Sequence, residues 1–414
     1  MGTLEACPPA LLLSQPWPDQ PVAVVGITHP QTCLVLRGRL AALRLAGFRV
    51  VLISSPGEWA SRLAAEEGAG HVAIPMHRGM SPLADLVALA RLCRTIRRLR
   101  PDLTEFSTPK AGLLGNIAAW ICRVPTRIYL LRGLRLETAT SLTRMVLRKS
   151  EWLAAACAQI VVCNSHSLRA QALELGLAPG CKLRLIADGS SNGVDTERFL
   201  PGPDRIGRSL GIPHGAPVVG YVGRLTRDKG IPELLDAFDQ LLLSHPDARL
   251  LLVGWFDESE DRLSQEQRAR IKAHPRIVYT GFVPDTSAYY RALDVLLLPT
   301  WREGFPNVAL EAAASGIPVI TTLTTGAKDA VVHGVTGLLV APGSADALAR
   351  SMELLLADSK MRAEMGQAAR RWVIRHFARR RVLNETVALY EGLVSQAELR
   401  VIPSLATDAA VAGE

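Results

Sequence analysis

Two glycine-containing segments in the second half of the chain carry residues suited to binding a phosphate. In the first, Arg224 and Lys229 follow Gly223 and an apolar run, and a helical pattern begins shortly after them. A glycine lets the backbone approach a ligand closely, and two long cations beside a helix N-terminus attract a diphosphate. The same residues also suit an ordinary turn between a strand and a helix, with both cations in water.

The second segment, residues 299–318, again reads as a strand, a glycine turn and a helix. Pro306 suits the first helical turn, so the free backbone amides around Gly304 are expected to form a phosphate cradle. Glu303 lies in the loop, and Glu311 lies about a turn and a half along the helix. Either glutamate alone could equally be a charge at a helix N-terminus or a residue on a polar face. Their joint spacing favours a site.

The elements that position these segments are strands and helices in regular alternation. This alternation is typical of a parallel sheet covered by helices on both faces. The predicted strands are 22–27, 50–53, 71–74, 103–106, 127–131, 160–163 and 183–186 in the first half, then 218–222, 250–253, 277–280, 295–299, 319–322 and 338–340.

A Pro- and Gly-rich segment at 200–217 interrupts the pattern and predicts a linker between two domains. We therefore predict an α/β protein with two doubly wound, Rossmann-like domains, at 18–200 and 216–375. A helix at 376–398 is expected to pack back toward the N-terminal domain. Ligands of such sheets bind beyond the carboxyl ends of the strands, so the functional site is expected in the cleft between the domains.

The net charge of +8 is concentrated in the first half of the 414-residue chain. Residues 1–200 hold 23 Lys and Arg against 14 Asp and Glu, whereas the remainder holds 24 against 25. This excess could be a solvated basic face, or a surface for anionic lipid or a diphosphate acceptor. Nucleic acid is disfavoured, because no aromatic-rich binding motif accompanies the charge. Much of the excess lies in a helical pattern at 81–100 and in Arg132, Arg135, Arg144, Arg148 and Lys149.

The cysteines and the acidic residues indicate neither a disulfide framework nor a metal site. Seven cysteines are scattered without a CxxC pair, which predicts reduced thiols in a cytosolic protein. The acidic run 257–261 lacks a shaping glycine and is expected to be a solvated loop. No apolar run is long enough to span a bilayer, so contact with a membrane is expected only at its surface.

Four motifs together resemble the family 4 retaining glycosyltransferases, which have the GT-B fold of two facing Rossmann-like domains. A narrower likeness, in residues 107–115, 131–138 and 189–193, is to the subgroup that extends polyprenyl-diphosphate-linked sugars for capsule, O-antigen or bacterial N-glycan assembly, including N-acetylgalactosaminyltransferases. The four family motifs are 192–195, Gly223-Arg224 followed by Lys229-Gly230, 281–283, and Glu303 and Glu311 with seven residues between them.

The resemblance implies a role for each matched residue. Arg224 and Lys229 would bind the donor diphosphate and neutralise charge as the sugar–phosphate bond breaks. Glu303, the third implied catalytic residue, would orient the hydroxyls of the donor sugar. The implied donor-binding residues are Gly223, Phe282 and Val283 near the base, Gly304, Phe305, Pro306 and Asn307 near the diphosphate, and Glu311 on the ribose.

The acceptor side departs from the family pattern. Many members have a histidine in the cleft after the fourth strand, and this chain has Glu105 and Ser107 at the corresponding positions. Ser107 or Lys110 could contact a phosphate there instead. His29, in the loop after the first strand, is an alternative that could equally be structural. The candidates on this side are His29, Ser107, Lys110, Arg132 and Arg135.

The resemblance implies transfer of a hexose or N-acetylhexosamine, with retention, from a nucleotide-diphosphate sugar to a lipid-linked saccharide. UDP is the expected nucleotide, and no metal or other cofactor is expected because Arg224 and Lys229 supply the positive charge. The enzyme is expected in the cytoplasm, peripheral on the inner face of the cell membrane, with anionic lipid and no nucleic acid as partner. A nucleotide-sugar epimerase and an inactive GT-B binding subunit are the alternatives.

Overall fold

The computed structural model describes residues 20–77, 79, 81–139, 141–259 and 261–401. These residues form two parallel sheets, one of seven strands and one of six, with helices between successive strands. The predicted α/β class with two Rossmann-like domains is confirmed. Every predicted strand is present, and its ends differ from the expected bounds by at most one residue. Long apolar runs locate such strands well, because strands of a parallel sheet are buried on both faces.

The sheet of the N-terminal domain has the order β3-β2-β1-β4-β5-β6-β7. The order reverses beside β1, which pairs with both β2 and β4. Such a reversal opens a crevice at the carboxyl ends of the two central strands. The strands are β1 (Val22–Gly26), β2 (Arg49–Ser54), β3 (Gly70–Ala73), β4 (Leu103–Ser107), β5 (Thr126–Leu131), β6 (Ile160–Cys163) and β7 (Leu183–Leu185).

Two layers of helices cover this sheet. The helices are α1 (Arg39–Leu45), α2 (Glu58–Glu66), α3 (Pro82–Leu99), α4 (Pro109–Ile121), α5 (Ser141–Cys157) and α6 (His166–Glu174). Buried residues of α1 and α2 form a core with one face of the sheet. Those of α3 to α6 form clusters with the alternate strand residues, which point to the opposite face.

The C-terminal domain repeats this plan with the order β10-β9-β8-β11-β12-β13, which reverses beside β8. Its strands are β8 (Val218–Val222), β9 (Arg249–Val253), β10 (Ile277–Gly281), β11 (Val295–Leu298), β12 (Val319–Thr322) and β13 (Gly337–Val340). Its helices are α7 (Ile231–Ser244), α8 (Gln265–Ala273), α9 (Ser287–Tyr290), α10 (Asn307–Ala314), α11 (Ala345–Ala357) and α12 (Ser359–Phe377).

The chain crosses between the domains a second time after α12. The amide of Val194 donates to the Phe377 carbonyl at 2.8 Å, and the amide of Arg379 donates to the Val194 carbonyl at 2.8 Å. The last helix, α13 (Arg379–Val401), then places Tyr390 in the core of the N-terminal domain. The two crossings lie side by side, so the backbone bonds at Val194 tie the domains together at the base of the cleft.

The basic helix α3 buries one side against the sheet and α4. Ile96 is fully buried and Leu89 half-buried, whereas Leu86 is exposed. The arginines along the helix point to solvent. Among the described residues, no helix combines the length and the apolar character needed to cross a membrane.

Candidate active site

A cavity of about 400 Å³ lies between the two domains. Its wall on the side of the C-terminal domain includes four of the residues that sequence analysis associated with a donor: Gly223, Phe282, Val283 and Glu311. The N-terminal domain contributes residues of α2 and of the 3-10 helix after β1. The structure therefore has its interdomain cavity at the carboxyl ends of the strands, where the functional site was predicted.

Glycine and aromatic residues shape one end of this cavity. Gly223 has a φ of +145°, and a Cβ on Gly254 would overlap the Gly223 carbonyl oxygen, so side chains are excluded where β8 and β9 end. Phe282 packs edge-on against Trp255 at 5.5 Å and against Trp59 of α2 at 6.0 Å, measured between ring centroids. The two tryptophans, which sequence analysis missed, flank the predicted base-binding residue from both domains.

Lys229 and Glu303 form an ion pair, with 2.5 Å between Nζ and Oε1. Lys229 follows β8 and Glu303 follows β11, and these two strands are neighbours in the sheet. Both side chains are mostly buried, so water screens the pair only partly. The structure thus brings together two of the three predicted catalytic residues, which are far apart in sequence.

Sequence analysis predicted that the acidic run 257–261 is a solvated loop, but two of its residues form ion pairs. Asp257 is buried and pairs with Arg224 at 3.0 Å, and Asp261 lies 3.5 Å from Arg302. Burial alone would raise the pKa of Asp257, but the hydrogen bond from Arg224 lowers it below the ordinary value. Arg302 also pairs with Asp228 at 2.9 Å. Two acidic residues of the run therefore position cations at the site.

Glu311 is a half-buried residue that lines the cavity. Tyr290 donates a hydrogen bond to its Oε2 at 2.7 Å. Burial raises the pKa of Glu311 to about 7, against the opposing effect of the Tyr290 hydrogen bond. Glu311 can therefore gain or lose a proton near neutral pH.

The residues after Glu303 touch the N-terminal domain. A Cβ on Gly304 would overlap the Arg132 carbonyl oxygen, so the loop after β5 requires glycine at this position. On the same side of the interface, Asp329 accepts a hydrogen bond from the Ser167 amide at 3.0 Å, and Ser167 Oγ accepts one from the Gly326 amide at 2.7 Å. These contacts close one end of the cleft.

Phe305, Pro306 and Asn307 lie beside this contact in three different environments. Phe305 is buried and packs against Phe377 at 5.1 Å, so its side chain belongs to the core. Pro306 is the N-cap of α10 and Asn307 is the first helical residue, one position later than the sequence suggested. The amides at the start of α10 remain available for a ligand, because the first turn of a helix lacks intrahelical acceptors.

Three acceptor-side candidates have structural partners. The His29 ring accepts a hydrogen bond from the Gln31 amide at 3.3 Å and caps the 3-10 helix after β1. Ser107 is fully buried, with its hydroxyl directed at the Gly26 carbonyl, and does not face the cleft. Lys110 pairs with Asp85 at 2.6 Å and so links α4 to α3. The geometry gives none of the three a free group in the cleft.

Arg132 differs from these candidates, because part of its guanidinium is unused. Nη1 donates to Ser191 Oγ at 2.8 Å, whereas Nε and Nη2 are buried and have no hydrogen-bond partner. Burial lowers the pKa of Arg132 to about 10; Glu105 opposes this effect and Arg39 adds to it. Arg135, three residues further along, is exposed on a short 3-10 helix.

The site also includes a buried polar cluster that sequence analysis did not find. Arg39 at the start of α1 donates to Glu105 at 2.6 Å and 2.9 Å and to the Tyr390 hydroxyl at 2.7 Å. Its Nη1 donates to the Ser191 carbonyl at 2.5 Å. Glu105, which occupies one of the expected histidine positions, thus binds within the N-terminal domain and not in the cleft. The signal in the sequence was an arginine at the start of a mostly apolar helix.

Residues 204–372 match the family described as glycosyl transferases group 1, and residues 35–189 match the glycosyl transferase 4-like domain. The chain is 34% identical over 373 residues to the capsular polysaccharide biosynthesis glycosyltransferase CapM of Staphylococcus aureus, an overlap of 90% of this chain and 97% of CapM. The chain belongs to the group 1 glycosyltransferases. The predicted enzyme class is therefore confirmed.

Two further similarities extend along most of this glycosyltransferase. It is 25% identical over 306 residues to the UDP-Gal:alpha-D-GlcNAc-diphosphoundecaprenol alpha-1,3-galactosyltransferase of Escherichia coli, covering 72% of this chain and 78% of that enzyme. It shares its fold with Anabaena Alr3699/HepE, whose crystal structure contains UDP and glucose. That superposition has a TM-score of 0.76 at 22% identity, over 90% of this chain and all of HepE. The predicted GT-B fold is confirmed.

Proposed function

We propose that this glycosyltransferase transfers a hexose or N-acetylhexosamine from a UDP-sugar to a lipid-linked saccharide, with retention at the anomeric carbon. The observation that carries the proposal is the interdomain cavity, where Gly223, Phe282, Val283 and Glu311 form the wall of the C-terminal domain. Such a wall fits a nucleoside, because the wall has an aromatic ring that can contact a base and a carboxyl that can bind ribose hydroxyls. The UDP bound to the HepE structure supports the same nucleotide.

In the proposed reaction, the bond between the anomeric carbon and the β-phosphate oxygen breaks while the acceptor hydroxyl attacks the same face of the sugar. The departing phosphate oxygen takes the proton of that hydroxyl, so no separate protein base is required. Negative charge grows on the diphosphate during this step, and Lys229 and Arg224 are the cations proposed to neutralise it. Glu303, held by Lys229, would accept hydrogen bonds from the sugar hydroxyls.

The acceptor is proposed to be a sugar on a polyprenyl diphosphate, approached at the cytoplasmic face of the cell membrane. Arg132 supports this choice, because a buried guanidinium with two unused donors suits a phosphate. The name of the Escherichia coli relative gives a diphosphoundecaprenol-linked sugar as the acceptor of that enzyme, which supports the proposal. The capsular role of CapM is consistent with assembly of a surface polysaccharide.

The proposal is tested by incubating the purified enzyme with UDP-sugars and a short-chain polyprenyl-diphosphate sugar. We expect UDP release that depends on the acceptor, and a product whose anomeric configuration in NMR matches that of the donor. Conversion of the donor without acceptor would indicate the epimerase alternative. Absence of any turnover, with UDP still bound, would indicate a binding subunit.

Activity is expected to persist in excess EDTA. Arg224 and Lys229, together with the N-terminus of α10, are proposed to offset the diphosphate charge that a divalent metal offsets in other enzymes. The measurement compares initial rates of EDTA-treated enzyme with and without added magnesium or manganese. Complete loss of activity that either metal restores would contradict the prediction.

Donor affinity is expected to decrease as the pH falls through about 7, the pKa to which burial raises Glu311. Above that pH the carboxylate accepts hydrogen bonds from two ribose hydroxyls, and protonation removes acceptor capacity. If only the ionised form binds, Kd rises by up to about tenfold for each pH unit below the pKa. Calorimetric titration with UDP-glucose tests this, since its diphosphate diester keeps a constant charge over the range.

Glu311→Gln provides the control for this titration. The variant is expected to bind UDP-glucose more weakly at pH 8 than the wild type does, and with an affinity that no longer changes between pH 6 and pH 8. A wild-type Kd that is equal at the two pH values would exclude Glu311 as the titrating group.

A further inference from the structure

Helix α5 has apolar residues on two opposite sides. One side packs into the N-terminal domain through Ala154 and Ala155, with Leu147 at its edge. The opposite side carries five large apolar side chains that are each 37% to 69% exposed. Their spacing of 3, 4, 10 and 11 residues from the first aligns them along one stripe of a helix. We define this as the α5 stripe: Leu142, Met145, Val146, Trp152 and Leu153.

The exposed charges of α5 itself all have the same sign. Arg144, Arg148 and Lys149 are exposed on this helix, and Lys149 lies within the stripe itself. Glu151 is the acidic residue of α5, and it is buried beside Tyr129. Single exposed apolar residues are common in proteins, but five on one side of a helix, with cations beside and between them, are typical of a helix that lies in a membrane interface.

Helix α3 lies on the same face of the sheet as α5, with α4 between them. Leu83, Leu86 and Val87, near its N-terminus, are 51% to 82% exposed. Because α3 and α5 pack on the same face of the sheet and follow the ends of β3 and β5, both helices begin at the carboxyl edge. Leu142, Met145 and Val146, in the first two turns of α5, therefore lie toward the side of the domain where the cleft opens, as do the exposed apolar residues of α3. Trp152 and Leu153 lie further along α5.

We propose that the α5 stripe, together with the N-terminal end of α3, docks this enzyme on an anionic lipid bilayer. The apolar side chains enter the boundary between headgroups and acyl chains, and the cations contact anionic headgroups. This inference rests on the proposed lipid-linked acceptor, because docking through the α5 stripe turns the opening of the cleft toward the membrane. The docking surface differs from the basic surface at 81–100 that sequence analysis offered for anionic lipid, because it adds the exposed apolar side chains of α5.

The test is cosedimentation of the full chain with phosphatidylcholine vesicles, with and without phosphatidylglycerol, at low and high salt. Wild type is expected to pellet with the anionic vesicles and to be partly released by salt. A triple variant, Leu142→Asn with Met145→Asn and Val146→Asn, is expected to bind at least about tenfold more weakly at both salt concentrations. Wild type that remains in the supernatant, or a triple variant that pellets like wild type, would overturn the proposal.

A matched control carries Leu45→Asn, Leu243→Asn and Leu354→Asn, three leucines exposed elsewhere on the molecule. It is expected to bind vesicles like wild type, and all three proteins are expected to melt at similar temperatures because the changed residues are exposed. Light scattering tests the alternative occupant, a second copy of the chain. A wild-type dimer that the α5 changes convert to a monomer, without lipid binding by wild type, would assign the stripe to self-association and overturn the proposal.

Activity distinguishes this inference from the proposed function. With a short-chain acceptor in solution, the α5 triple variant is expected to retain wild-type turnover, because none of its changes lies in the cavity. With the acceptor embedded in anionic vesicles, its rate is expected to fall in parallel with binding. Equal rates of variant and wild type on the vesicles would count against docking, whereas a wild type inactive with every acceptor would count against the proposed function alone.

Discussion

Replacing Lys229 by alanine is expected to lower kcat by about 10²-fold or more. The ammonium lies at the carboxyl edge of the sheet in an ion pair that is mostly buried, where a positive charge acts more strongly than in water. Loss of a group that stabilises the leaving diphosphate only in the transition state raises the activation free energy by about a few kcal/mol. Steady-state rates with the lipid-linked acceptor, alongside thermal unfolding, measure the effect. Lys360→Ala, an exposed change on α12, is the matched control.

The ion pair with Glu303 allows a stricter test of this role. If Lys229 served only to neutralise Glu303, then Lys229→Ala would cost nothing further in the Glu303→Gln background. We expect a further loss of at least about tenfold in that background, because the diphosphate still requires a cation. Equal activity of the single Glu303→Gln and double variants would assign Lys229 to positioning Glu303.

Arg224→Ala is expected to cause a loss similar to that of Lys229→Ala, and Asp257 provides the comparison. Asp257 holds Arg224 at 3.0 Å but is not expected to contact the donor. Asp257→Asn keeps a hydrogen-bond acceptor of the same shape, so it is expected to reduce the rate much less than Arg224→Ala does. A full loss in Asp257→Asn with normal activity in Arg224→Ala would reverse these roles.

Arg132→Ala is expected to lower kcat/KM for the lipid-linked acceptor by about 10²-fold while leaving the affinity for UDP-glucose within about twofold. Nη1 of its side chain donates to Ser191, and the buried Nε and Nη2, which have no hydrogen-bond partner, are the donors proposed for a phosphate. Arg132→Lys keeps the charge but loses the planar fork, so an intermediate loss is expected. Separate titrations with the donor and with the acceptor test whether the Arg132 changes affect only the acceptor.

Thermal unfolding gives an independent readout for Arg132. A buried cation with unused donors is costly to the fold, so Arg132→Ala is expected to leave Tm unchanged or to raise it. Arg350→Ala, an exposed change on α11, serves as the control for activity. A lower Tm together with normal acceptor kinetics would make Arg132 a structural residue, and a matching loss of donor affinity would move it to the donor side.

The strands and the donor-side motifs were accessible from the sequence because their signals are local. Buried parallel strands need continuous apolar runs, and a phosphate loop needs glycine and cations within a few residues. Gly304 illustrates the limit of such local signals. Its place in a turn before α10 is visible in the sequence, but its close approach to the Arg132 carbonyl, across the domain interface, is not.

The acceptor side was harder to predict, because a side chain's direction there depends on distant partners. Ser107 and Lys110 follow β4, where a ligand contact is expected in this fold, yet one is buried against β1 and the other pairs with α3. The acidic run at 257–261 looked solvated for the same reason. Nothing near Asp257 in sequence indicates that Arg224 lies beside it.

The sequence by itself determined the two doubly wound domains, the cleft between them and four residues that line the interdomain cavity, because each is encoded by short patterns of apolar residues, glycines and charges. The tertiary structure decided which of the charged residues are free. Arg39 gains one of its hydrogen-bond partners because α13 returns from the C-terminal domain and brings Tyr390 to it. Arg132 keeps two unused donors beside the ion pair of Arg39 and Glu105, in which Glu105 Oε1 also has no hydrogen-bond partner. Such pairing depends on segments hundreds of residues apart, and no local pattern encodes it.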